Sequence, residues 1–139
     1  MAAEVLKAFV TYVIIGHSER RTLLHETDMI VTLKAKQALM HGLTPILCVS
    51  DLTTPIPDGV RIVAYEPVAA IGTGHPDTPE NANAIAHELK SHGVTTVLYG
   101  GSVTSENVYR FTSQDGLDGV LVGKASIDPT EFLTLIKHA

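Results

Sequence analysis

Apolar positions in this chain fall into short blocks at regular intervals, separated by stretches of helical period. The blocks are "YVIIG" (12–16), "LTPILCV" (43–49), "VRIVAYE" (60–66), "VTTVLYG" (94–100) and "DGVLVG" (118–123). Each is β-branched and apolar on both faces of its alternation, which is how a parallel strand reads when both faces are buried. Four intervening segments read as helices. Residues 28–41 carry Ile30, Leu33, Gln37 and Met40 on one stripe, with Gly42 as a stop. After Thr78, Pro79 takes the first helical position, Ala82, Ile85, Ala86 and Leu89 follow at helical spacing, and Gly93 ends the run. "TSENVYRF" (104–111) opens with a capping residue, and "DPTEFLTLIKHA" (128–139) combines an Asp128 cap, Pro129 and Glu131.

Strand and helix in alternation predict an α/β fold with a parallel sheet, either a barrel or an open doubly wound sheet. One connection departs from the rhythm. Between the second and third blocks lie only "SDLTTPIPDG" (50–59), with two prolines and no helical period, so this return is expected to be extended. With no linker, repeat or low-complexity tract, residues 1–139 are expected to form one domain.

Composition narrows the partners. A length of 139 residues, 45% of them hydrophobic and 18% charged, suffices for one core built from Ala, Val, Ile and Leu. The formal charge of −5 argues against nucleic acid or an anionic membrane, so an anionic ligand must be held by local groups. A single cysteine, Cys48, excludes an intramolecular disulfide and fits a reducing compartment. No segment has the apolar length of a membrane span or the layout of a secretion signal, which leads to the expectation of a soluble, cytoplasmic protein. The 7 histidines include no pair at ligand spacing on one helix face, so no metal is expected.

Ligands of parallel α/β folds bind at the carboxyl ends of the strands. Here those ends read "GHSERR", "SD", "EPVAAIGTG", "GGSV" and "GKAS". Three set glycine beside a small hydroxyl residue, a composition that lets backbone N–H groups approach an anion. Another offers His17 and Glu19, and the third strand ends on Glu66. A carboxylate, an imidazole and a phosphate cradle on one rim suit proton transfer on a small phosphorylated carbonyl compound. Proline at one end of the segment 67–74 and glycines at the other suit a lid that excludes water.

Taken together, "YVIIGHSERR", "AYEPVAAIGTG", "YGGSVTSENV" and "DGVLVGKASI" resemble the four signature regions of the triosephosphate isomerase family, in the same order and at compatible spacing. The resemblance implies an incomplete (β/α)8 barrel of about five parallel strands, matching the family from its fourth β/α unit onward. It implies Glu66 as base, His17 as electrophile and Glu19 as the carboxylate that organises an active-site lysine. It also implies Gly72, Ser102, Gly123 and Lys124 as the phosphate-binding positions, a three-carbon phosphorylated substrate and no cofactor. The family's strand-one lysine has no counterpart here, and Lys124 and Ala69 stand where the family usually has glycine and tryptophan. Five strands cannot close an ordinary barrel, so a chain of this length is expected to aggregate, to pair with a second copy or a complementing chain, or to be part of a longer protein. Arg20 and Arg21 are read as structural ion-pair partners, and Cys48 as a small buried filler. Two further readings stay open: a phosphate-binding module without turnover, and a different phosphate-binding barrel enzyme.

Overall fold

A computed structural model of the chain describes residues 2–67 and 77–139. The five apolar blocks form five parallel strands: β1 (Tyr12–Ile15), β2 (Thr44–Val49), β3 (Ile62–Tyr65), β4 (Thr96–Tyr99) and β5 (Gly119–Val120). They pair in chain order, β1-β2-β3-β4-β5, which is the consecutive order of a barrel wall. The open, doubly wound alternative reverses its strand order and is excluded. β5 is shorter than the block that predicts it and, among the described residues, pairs with β4 alone.

The helices are α1 (Ala3–Leu6), α2 (Ser18–Leu24), α3 (Asp28–Met40), α4 (Pro79–Ser91), α5 (Val108–Thr112) and α6 (Pro129–His138). Thr27 caps α3 and Thr78 caps α4 through side-chain oxygens, and Asp128 caps α6 by accepting from the Thr130 and Glu131 N–H groups. Gly42 and Gly93 stop α3 and α4 at φ values of +76° and +90°. As expected, the return from β2 to β3 contains no helix.

Two local readings are corrected. The sheet-facing side of α3 is Val31, Ala35 and Ala38, while Leu33 and Met40 are exposed. This helix is apolar on nearly every side, so its spacing does not single out one face. Thr104 does not cap α5. Its N–H is taken by Asn107 Oδ1 at 2.9 Å, which holds residues 104–107 in a turn and delays the helix to Val108. Glu131, placed as if to complete a capping box, instead accepts from Ser105 N and Oγ at 2.8 and 3.0 Å and ties α6 to that turn.

The core lies between the sheet and its helices. Leu47, Val63, Val97 and Tyr99 are 0% exposed and pack with Val31, Ala35, Ala82, Leu89 and Phe111. The opposite face, which in a closed barrel is the interior, carries Tyr12, Ile14, Ile46, Ile62 and Leu98, none of which joins that cluster. Alternation along the strands places Cys48 and Ala64 on this inner face, with Glu66 continuing it at the rim.

Candidate active site

The strand ends bring the first and third together most closely. Gly16, at φ +70°, turns the chain from β1 into α2, and a Cβ there would meet Val31 Cγ1 at 3.0 Å. His17 is therefore the N-cap of α2: its Nδ1 accepts from the Glu19 N–H at 3.3 Å. With Nδ1 used as an acceptor, the ring proton sits on Nε2. That nitrogen faces Glu66 Oε1 at 3.3 Å.

Glu66 reaches this position because pairing extends past β3. Its N–H donates to Val49 O, and Gly100 N–H donates to Tyr65 O, both at 2.8 Å. The carboxylate is 3% exposed, and Oε2 accepts from the Ser18 N–H at 3.0 Å. Space for it depends on Gly100, where a Cβ would lie 2.9 Å from Glu66 Cγ. A cavity of about 540 Å³ opens beside it, lined by Gly16, Ser18, Glu19, Arg21, Cys48, Ser50 and Glu66 among others. Burial first, then the Glu66 charge, pushes the Cys48 thiol up, so Cys48 stays protonated and packs as filler.

Both arginines after His17 are structural. Arg20 binds Glu26 through Nε at 2.8 Å and Nη2 at 2.5 Å, and Lys34 joins the same oxygen. Arg21 donates to Gly16 O at 2.8 Å and to Asp28 Oδ1 at 2.7 Å, fixing the turn that presents His17. The Glu19 carboxylate is exposed and has no partner among the described residues.

The positions expected to bind phosphate are less assembled. Ser102 follows β4, and its carbonyl accepts from Asn107 Nδ2 at 3.0 Å. Gly123 precedes a 3-10 turn, Lys124–Ser126, and both Gly123 and Lys124 are exposed. All lie beyond the carboxyl ends of their strands, on the rim that carries His17 and Glu66. Gly72 and the lid segment beyond Pro67 lie outside the described residues.

Sequence reading missed a polar knot just below this rim. Tyr65 OH donates to Asp77 Oδ2 at 3.0 Å, Asp77 N–H donates to Tyr99 OH at 2.9 Å, and Asn81 Nδ2 donates to Asp77 Oδ2 at 2.7 Å. Burial first, then the Asp77 hydrogen bond, pushes the Tyr65 phenol up, and burial pushes Tyr99 up to about 12. Both phenols are thus neutral hydrogen-bonding groups. Asp77 gives little warning in sequence, because a lone carboxylate before a helix cap looks like a solvated charge. Ser18 was missed because it contributes only its N–H.

Comparison with known proteins decides the family. The triosephosphate isomerase family model matches residues 1–55 and 56–139. The chain belongs to the triosephosphate isomerase family. It is 39% identical over 170 residues to a triosephosphate isomerase of Leifsonia xyli, an alignment that covers 99% of this chain and 66% of that protein. A triosephosphate isomerase of Dictyoglomus thermophilum is 36% identical over 160 residues, covering 91% of this chain and 64% of the relative. One of Trichodesmium erythraeum is 38% identical over 152 residues, covering 93% and 63%. The chain thus spans 63% to 66% of the length of these relatives. The Leifsonia alignment is longer than the 139 residues of this chain, so that relative carries sequence with no counterpart here. The family match breaks between residues 55 and 56, inside the helix-free return from β2 to β3.

Proposed function

We propose that the chain carries the proton-transfer half of a triosephosphate isomerase site and interconverts glyceraldehyde 3-phosphate and dihydroxyacetone phosphate without a cofactor. The observation that carries this reading is the pairing of Glu66 with His17: a buried carboxylate and an Nε2–H face each other at 3.3 Å on the rim. Glu66 removes the proton from the carbon beside the carbonyl. The C–H electron pair becomes the C=C bond of an enediolate, and the carbonyl oxygen takes the negative charge, where the His17 N–H meets it. The hydroxyl proton passes to the charged oxygen and Glu66 returns its proton to the former carbonyl carbon, so that the old hydroxyl oxygen becomes the new carbonyl and the exchange is complete. Backbone N–H groups at Gly72, Ser102, Gly123 and Lys124 hold the phosphate, and Glu19 orients a cation near the reacting oxygen.

This chemistry takes place in the cytoplasm in a barrel of which these five strands form part, the remaining strands coming from the same polypeptide, a second copy or a complementing chain. Among the described residues no helix is long and apolar enough to cross a membrane. The test is isomerase activity of the purified chain beside Glu66→Ala, which controls for host enzyme. Loss of a general base is expected to lower the rate by about 10²–10⁴-fold. Equal rates in both proteins would overturn the catalytic reading. Binding of a phosphate analogue without turnover would then favour the module reading, which the absence of a cation partner for Glu19 among the described residues supports.

A further inference from the structure

Tyr65 directly precedes Glu66 and packs the other way, into the core between sheet and helices. Ladder hydrogen bonds reach the Glu66 N–H on the β2 side and the Tyr65 carbonyl on the β4 side. The strand end is held a third time through the Tyr65 phenol, whose OH donates to Asp77 Oδ2 at 3.0 Å. Asp77 is itself fixed to a rigid group. Its N–H donates to Tyr99 OH at 2.9 Å, and the Tyr99 ring stacks on Phe111 with centroids 3.9 Å apart and an interplanar angle of 6°. Gly101 lies against the same phenol so closely that a Cβ there would fall 2.2 Å from Tyr99 OH. A line of contacts therefore runs from α5 and β4 through Asp77 to the residue before Glu66.

The Asp77 carboxylate is not needed to start α4. Thr78 already caps that helix by accepting from the Asn81 N–H at 3.2 Å. The carboxylate instead gathers three neutral donors: the Thr78 N–H at 2.8 Å on Oδ1, and Asn81 Nδ2 at 2.7 Å and Tyr65 OH on Oδ2. An ionised acceptor holds a phenol more firmly than a neutral one. Firmness matters at this point in the chain, because a working group has to be held within about 0.5 Å of its productive geometry. Glu66 must meet the Ser18 N–H with one oxygen and His17 Nε2 with the other.

We propose that Asp77 is a positioning residue for Glu66: its carboxylate, anchored on Tyr99, holds Tyr65 and so fixes where β3 delivers the Glu66 carboxylate against Ser18 and His17. Asp77 acts through Tyr65 and not on substrate. The inference rests on the proposed role of Glu66 as the base, yet the placement of its carboxylate can be read without turnover. The Ser18 amide and the His17 ring nitrogen each meet one Glu66 oxygen, so their NMR signals report that placement.

Tyr65→Phe keeps the ring and removes one OH, and Asp77→Ala keeps the N–H bond to Tyr99 while removing the carboxylate. In NMR spectra of the full chain, each is expected to shift the Ser18 amide and His17 Nε2 signals. The double variant should match Asp77→Ala, because both residues act through one contact. Thr78→Ala is the control: it strips the cap of α4 and is expected to lower the urea midpoint while leaving both signals in place. In isomerase assays, Tyr65→Phe and Asp77→Ala should each lower kcat about 10-fold with KM within about 2-fold of wild type, the pattern of a displaced base. A wild-type chain without turnover would defeat the catalytic proposal and leave the spectra to decide the positioning. If Asp77→Ala fails to fold, Tyr65→Phe decides alone. Ser18 and His17 signals that neither variant moves, or that Thr78→Ala moves equally, would make these contacts part of the scaffold and overturn the inference. An active wild type whose kcat neither variant lowers would overturn it as well.

Discussion

Glu26 and Glu66 are the two charged residues buried among the described part of the molecule, at 8% and 3% exposure, and they are held in opposite ways. Glu26 joins α2 to α3 and is met by two cations, Arg20 and Lys34, which converge on Oε1 and leave Oε2 buried without a partner. The Arg20 hydrogen bond is the main reason its carboxyl titrates below the ordinary range, against the opposing effect of burial. Glu66 meets no lysine or arginine among the described residues, and its partners are the Ser18 N–H, the His17 ring and the Cys48 thiol, beside an open cavity. Burying a charge is costly unless it is compensated. A scaffold carboxylate is therefore compensated by cations, whereas Glu66, the base of the proposed reaction, is left with partners that a ligand can displace.

The largest effect that would test this contrast comes from stripping a cation from Glu26. Arg20→Met keeps the apolar stem and removes the guanidinium, whose side chain is 48% exposed. Allowing for that exposure, the expected loss is roughly 1–2 kcal/mol, read from urea denaturation. Part of it should return in the double variant with Glu26→Gln, because the two residues act through one contact. Full additivity would mean that the cations do not compensate the carboxylate.

A smaller effect lies in pH. Because the folded-state pKa of Glu26 is depressed, its contribution is fully present above the unfolded carboxylate value of about 4.3 and is lost as pH falls through the lower folded value. Wild-type stability should fall below that pH more steeply than that of Glu26→Gln. Parallel acid limbs for the two proteins would show that the pair adds nothing to folding.

The contrast was only half legible in sequence. Glu66 stood out because a carboxylate at the end of an apolar strand, followed by proline and glycine, is chemically conspicuous. Its partner His17 could be placed because both lie at strand ends of a parallel sheet. Glu26 was not singled out, since nothing local shows that residues 20 and 34 converge on it from two helices. The strands were recovered well, as their period does not depend on distant contacts. The buried face of α3 was not, because Leu33 and Met40 are as apolar as the residues that pack. The proposed recognition of phosphate at Ser102, Gly123 and Lys124 depends on backbone N–H directions, which composition cannot set.

The smallest effect bears most directly on the contrast. Glu66→Gln keeps an oxygen for the Ser18 N–H but turns an amide N–H₂ toward His17 Nε2. Since Nδ1 is held as an acceptor by Glu19 N–H, Nε2 retains its proton and donor faces donor. The His17 side chain is 37% exposed and can turn toward water, and the cavity beside residue 66 leaves room for a water to accept from the new amide N–H₂. Removing the Glu66 charge also relieves its burial. The two changes should nearly cancel, leaving stability within about 0.5 kcal/mol of wild type in the same urea experiment. A loss as large as that of Arg20→Met would make Glu66 a scaffold residue like Glu26, and the distinction drawn between the two carboxylates would fail.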